Sequence, residues 1–340
     1  MARPFLKPGL AAAATLLAAA PASALSIIPV YETSVTNQAA AGQIESAFNT
    51  VAALFGDALA NPVQVTVSIG WNEVGGQSLP SSAVGASLSF LDGYYSYATV
   101  RQALTSAAGA SSGSAAGAAG GTLPAMLATG PTNYVVTSAE AKALGLAPDG
   151  TALDGYIGFA GATSGFGFDP AAVTSKQYDF QAVAAHELSE ILGRISGFDS
   201  TGYRTAYDLF RFSAPGQLAS SASGRAYFSL DNGKTVLQTF NSGSGDRGDW
   251  ATTSTTTDAF DAAIARGKRK SVSYVDLAAL DALGWNGAAA LAGAGSLGGT
   301  AFALAGSVPE PSSWALLVTG FALTGAMVRR RGLASTRRFG

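Results

Sequence analysis

The chemistry this chain can offer is concentrated in one stretch, Asp179-Phe180-Gln181-Ala182-Val183-Ala184-Ala185-His186-Glu187-Leu188-Ser189-Glu190-Ile191-Leu192-Gly193-Arg194. On a helix, residues four apart stand one above the other. His186 and Glu190 can therefore bring an imidazole nitrogen and a carboxylate oxygen to one divalent ion, both of which zinc accepts. Glu187, on the adjacent ridge, is positioned to act as general base toward water. A third ligand is sought among Asp199 and Asp208. Asp208 is preferred, because the apolar context Tyr207-Asp208-Leu209-Phe210-Arg211 would bury it, and a buried carboxylate needs a partner. The plainer reading of the same residues is an amphipathic helix whose exposed face happens to read His-Glu-x-x-Glu. His186 is the only histidine and cysteine is absent, so disulfides, thiol nucleophiles and any His-His metal pair within one chain are excluded.

Other constellations carry less. Gly109-Ala110-Ser111-Ser112-Gly113 matches the nucleophile-elbow pattern, which needs a strand before it and a helix after it, and an Ala/Gly/Ser run supplies neither. Asp231-Asn232-Gly233, Asp246 and Asp249 fall in Gly-rich turns, where such residues serve backbone geometry. Oxygen-rich turns also suit calcium, which is the second metal admitted after zinc.

The motif needs elements to hold it. Asp179 can cap a helix whose buried face is Phe180, Val183, Ala184, Leu188 and Ile191, and Gly193 can end it. Helical spacing recurs over 39–55, through Ile44, Phe48, Val51, Ala52 and Phe55, and again over 97–107. Residues 63–69 alternate with period two, as a half-buried strand does. Short strands are expected at 134–136 and 156–159, the latter close to the motif helix. Residues 108–121 read as a flexible surface insertion. The fold class expected from these elements is α+β.

Of 340 residues, 48% are apolar and 12% charged, with a net charge of -2, so no nucleic acid is expected as partner. Arg3 and Lys7, the apolar run 10–20 and Ala22-Ser23-Ala24 make residues 1–24 a secretory signal peptide. At the other end, Val308-Pro309-Glu310-Pro311 precedes an apolar stretch, 314–328, and Arg329-Arg330-Arg331, in accord with the positive-inside rule.

Two resemblances follow from these residues. The C-terminal region, 308–331, with its basic tail 332–340, resembles the PEP-CTERM sorting signal. The N-terminal signal peptide calls for export by the Sec machinery, and the C-terminal resemblance implies transient membrane anchorage by a transmembrane segment at 314–328 and cleavage by an exosortase. It also implies a final place in the cell envelope or outside the cell, where exopolysaccharide matrix is a partner.

The stretch 185–194, Trp71-Asn72-Glu73-Val74-Gly75-Gly76, Gly248-Asp249-Trp250 and the run from Val275-Asp276-Leu277 to Gly284-Trp285 are similar to PEP-CTERM-bearing zincin-like metallopeptidases. The resemblance spans about 40–286. It implies a zincin-like domain over 25–286, built as a twisted mixed sheet plus an active-site helix, a Gly/Ala-rich linker over 287–307, His186 and Glu190 as ligands and Glu187 as base. Glu190 stands where a second histidine is usual, Ser196 where a metzincin carries its third ligand, and no methionine lies between Gly193 and Trp285. The function expected is a zinc-dependent endopeptidase acting on polypeptides, or a catalytically weakened relative. The alternative is a non-catalytic matrix or adhesion protein that retains the fold.

Overall fold

The alternating segment at 63–69 lies at the centre of the main sheet. In the computed structural model, which describes residues 25–110, 122–127, 133–161, 165–199, 203–222 and 224–287, four strands form that sheet. They are β1 (Ser26–Tyr31), β2 (Gln64–Trp71), β3 (Gly85–Ser89) and β4 (Leu153–Phe159), in the order β1-β2-β4-β3. The first three in that order are parallel, and β3 runs antiparallel to β4 at the edge. β2 is buried on both faces, not one. Its polar alternates are satisfied inside: Ser68 donates to Glu32, and Thr66 accepts from Gln64 Nε2 at 3.1 Å. A hairpin of Glu73–Val74 and Gln77–Ser78 covers that face so closely that a Cβ on Gly158 would stand 2.1 Å from the Glu73 carbonyl oxygen.

Two helices, α1 (Ala41–Ala58) and α3 (Phe180–Ile191), pack on the other face; α2 (Tyr97–Ala110) falls between them in the chain and α4 (Tyr274–Ala282) after them. Every apolar position of the periodic pattern in α1 is buried. Phe159 of β4 joins sheet to helices, 6.3 Å from the Phe48 ring and 4.5 Å from the Phe180 ring. Burial of each such side chain contributes on the order of 1.5–3 kcal/mol. Register then sets what the edge strand shows α3: Gly85, Ser87 and Ser89 pair with Phe159, Ile157 and Gly155 and share their face. A slip of one residue would present Ala86 and Leu88 instead.

The start and end of α3 are fixed chemically. Asp179 accepts from the Ala182 amide at 3.3 Å. Gly193 ends the helix at φ +111, pressed so closely on buried Glu140 that a Cβ would lie 2.7 Å from its Oε2. Trp285, just beyond α4, donates from Nε1 to the Leu192 carbonyl at 2.6 Å, and α4 itself opens on a capping box between Ser273 and Asp276.

Smaller sheets complete the α+β fold. Leu91–Tyr95, Tyr134–Thr137 and Arg204–Thr205 form a three-stranded one. An antiparallel four-stranded sheet is built on Arg211–Ala214, behind a cluster of Tyr207, Phe228, Phe240 and Trp250. Among the described residues no helix is long and apolar enough to cross a membrane. The segments read as signal peptide, sorting signal and basic tail, nearly all of the linker, and Ser111 with the rest of 111–121 lie outside the described residues. Residues 108–110 belong to α2.

Candidate metal centre

His186, Glu187 and Glu190 all project from α3, and the helix is buried nearly all round, since its motif face is roofed by β3 and by the loop carrying Asp249. Glu187 and Glu190 are only 7% and 6% exposed, so the solvated-face reading does not describe them. They line a cleft of about 570 Å³ together with His186, Asp249 and the segment 82–87, which leads into and begins β3.

His186, Glu190 and Asp249 converge there, each with one ligand atom within 4.8 Å of the others. His186 Nδ1 lies 2.9 Å from the Ala259 carbonyl, which can only accept, so Nδ1 carries a hydrogen. Nε2 therefore faces the carboxylates, 3.3 Å from Asp249 Oδ1 and 3.6 Å from Glu190 Oε1. A carbonyl holding one ring nitrogen while the other meets a ligand shell is the usual outer support of a metal-binding histidine.

Asp249 is the ligand candidate that the sequence reading left among the turns. It is held in place by its neighbour: Trp250 is fully buried, donates to Asp276 Oδ1 at 2.7 Å, and sits within the aromatic cluster. An acid directly before a tryptophan that must be buried was the available signal. Asp208, expected as third ligand, is elsewhere. Its carboxylate accepts from Ser196 Oγ at 2.7 Å, from the Gly197 amide at 2.9 Å and from the Thr205 amide at 3.0 Å, stitching the chain just after α3. Asp199 accepts from the Arg247 amide at 2.9 Å. Asp231 accepts from Ser229 and Thr235, which accounts for its place in a turn.

Two further residues went unassigned in the sequence. Ser87 of β3 donates to Glu190 Oε2 at 2.6 Å. Arg194, with no exposed surface, donates to Asp249 Oδ1 at 2.6 Å and lies 3.4 Å from Glu190 Oε1. The cleft is electrostatically divided. Burial opposes a charge on His186, but Asp249's charge and the hydrogen bonds that Asp249 and Glu190 accept from the ring outweigh it and hold the imidazole pKa well above its ordinary value. Burial also opposes the Asp249 carboxylate, yet the His186 and Arg194 cations bring its pKa below the usual range. Burial, then the charge of Glu190, pushes the Glu187 carboxyl well up. Asp246 on the rim is raised to about 6 by burial of its carboxyl group and by the charges of Glu190, Asp249 and Asp199.

No family model, no curated protein and no solved structure matches the chain.

Proposed function

We propose that this chain is a zinc-dependent endopeptidase of the zincin type, exported and sorted to the cell envelope. The observation that carries the reading is the convergence of His186, Glu190 and Asp249 on the wall of a cleft, with Glu187 beside them. One imidazole nitrogen and two carboxylates suit zinc, and three protein ligands with an open side facing a cleft are the pattern of catalytic, not structural, zinc sites. Zinc bound there would supply Lewis-acid activation of water and of a peptide carbonyl. Glu187 takes up a proton on its carboxylate and returns it to the departing amine.

The edge strand argues for a polypeptide substrate. β3 is an outer strand of the main sheet and borders the cleft, so an extended chain laid along it gains main-chain hydrogen bonds without regard to its side chains. Export rests on the two termini, whose patterns call for the Sec machinery and an exosortase and direct the product toward the exopolysaccharide matrix.

One observation favours a second reading. His186 and Arg194 already pair with Glu190 and Asp249 in a closed ionic network, which is what a non-catalytic matrix or adhesion protein retaining the fold would keep. Elemental mass spectrometry of the purified chain separates the two. About one zinc per wild-type chain, lost in His186→Ala and in Asp249→Ala, is expected. Folded protein that stays metal-free when zinc is added, with a melting temperature indifferent to chelator, would favour the scaffold reading, because a ligand bound only to the native state raises its stability.

A further inference from the structure

Position 190 is the point at which the motif departs from a pair of histidines, and the surroundings of that position are informative. Two donors converge on its carboxylate: Ser87 Oγ lies 2.6 Å from Oε2 and Arg194 Nη2 3.4 Å from Oε1. Arg194 has no freedom to turn elsewhere. Its Nε donates to Ser189 Oγ at 2.7 Å, its Nη1 to Asp249 Oδ1 at 2.6 Å and to the Gly248 carbonyl at 3.2 Å, and its plane lies 4.6 Å from the centre of the Phe260 ring. A guanidinium has five N–H donors and no acceptor, so a side chain at 190 must accept. An imidazole there would remove one of the two carboxylates that offset Arg194 and would set a second ring against a fixed buried cation.

We propose that Arg194, backed by Ser87, is a positioning residue that makes 190 a carboxylate seat and cancels the charge of that carboxylate. His186, Glu190 and Asp249 with Arg194 then carry the same net charge as two histidines and one carboxylate, an established zinc set. On this account Glu190 is the site's own ligand and not a decayed histidine. The inference rests on the metal-centre reading above.

The test uses the full chain with zinc alone as probe, measuring affinity by competition with a chromophoric chelator and the melting temperature of the metal-free protein. Glu190→His, which rebuilds the paired histidines, is expected to weaken zinc at least tenfold and to lower the metal-free melting temperature. Adding Arg194→Met to Glu190→His is expected to recover at least threefold of the lost affinity, which a purely structural arginine would not do. A Glu190→His chain that binds zinc as tightly as wild type overturns the inference while leaving the metal centre standing, and so does a folded double variant that recovers nothing. If the double variant fails to fold, the affinity of Glu190→His alone decides. A wild type that takes up no zinc removes the metal reading itself, and the inference falls with it.

Discussion

Glu187 is the residue on which turnover depends in the proposed reading, and it is also the easiest to isolate from the rest of the site. It contributes no atom to the convergent group of His186, Glu190 and Asp249, so Glu187→Gln keeps shape and ligands while removing the ability to take up a proton. Zinc content and melting temperature are expected to stay at wild-type values while peptide hydrolysis falls by roughly 10²–10⁴-fold, the usual contribution of a positioned acid–base group. Hydrolysis that survives the substitution would mean another group moves the proton. Glu187 and Glu190 were legible in the sequence because helical spacing alone fixes which side they share with His186. Asp249 and Arg194 were not, for a physical reason. Their meeting depends on where a loop more than fifty residues downstream returns, and that is set by burial of Trp250 against Tyr207, Phe228 and Phe240, which leaves no periodic trace.

At the scale of elements, the site depends on how closely β3 approaches α3. Gly85 makes that approach possible, since a Cβ there would lie 2.5 Å from Glu187 Oε1 and 2.7 Å from Val183 Cγ1. The carboxylate can swing aside, but the β-branched valine on a buried helix has little room. Gly85→Ala is therefore expected to cost about 1–3 kcal/mol through overpacking and to displace Glu187, so that hydrolysis falls further than stability does and zinc is retained. Thermal melting, metal analysis and a peptide assay on the same preparation check this; an alanine variant with unchanged melting and unchanged rate would show the strand is free to move away. The elements themselves were largely readable: the periodic patterns placed α1, α3 and β2. The edge role of β3 was not, because Gly85-Ala86-Ser87-Leu88-Ser89 is too weakly patterned to read as a strand. Its pairing with β4 and its contact with α3 decide its place.

Across the whole molecule, a chain with few charges has put many of its carboxyls inside. Burial is the leading cause that pushes up Glu140, Asp179, Asp208 and Asp276, the last to about 7. Asp276 shows how this bears on stability. Its neighbours are mixed: Asp258 raises it further, while the Ser273 amide, the Trp250 indole and the Arg194 cation lower it. In the unfolded chain the group releases its proton near its ordinary value of 3.8, whereas the native chain holds it to about 7. Between those limits the native state binds more protons, so the stabilisation is complete below about pH 4 and lost as pH rises toward 7, at up to about 1.4 kcal/mol per pH unit. The other raised carboxyls act with the same sign. Asp231, held down at about 2 by Thr235 and Ser229 despite some burial, acts with the opposite sign but only in strong acid. Metal-free protein in chelator should therefore melt at a higher temperature at pH 5 than at pH 8, the reverse of a protein held by exposed ion pairs. Asp276→Asn should lower stability at pH 5 and narrow that difference, because the amide cannot change its charge. A melting temperature that rises from pH 5 to pH 8 in the metal-free wild type would mean that these carboxyls are ionised in the native interior, with partners sufficient to hold them so.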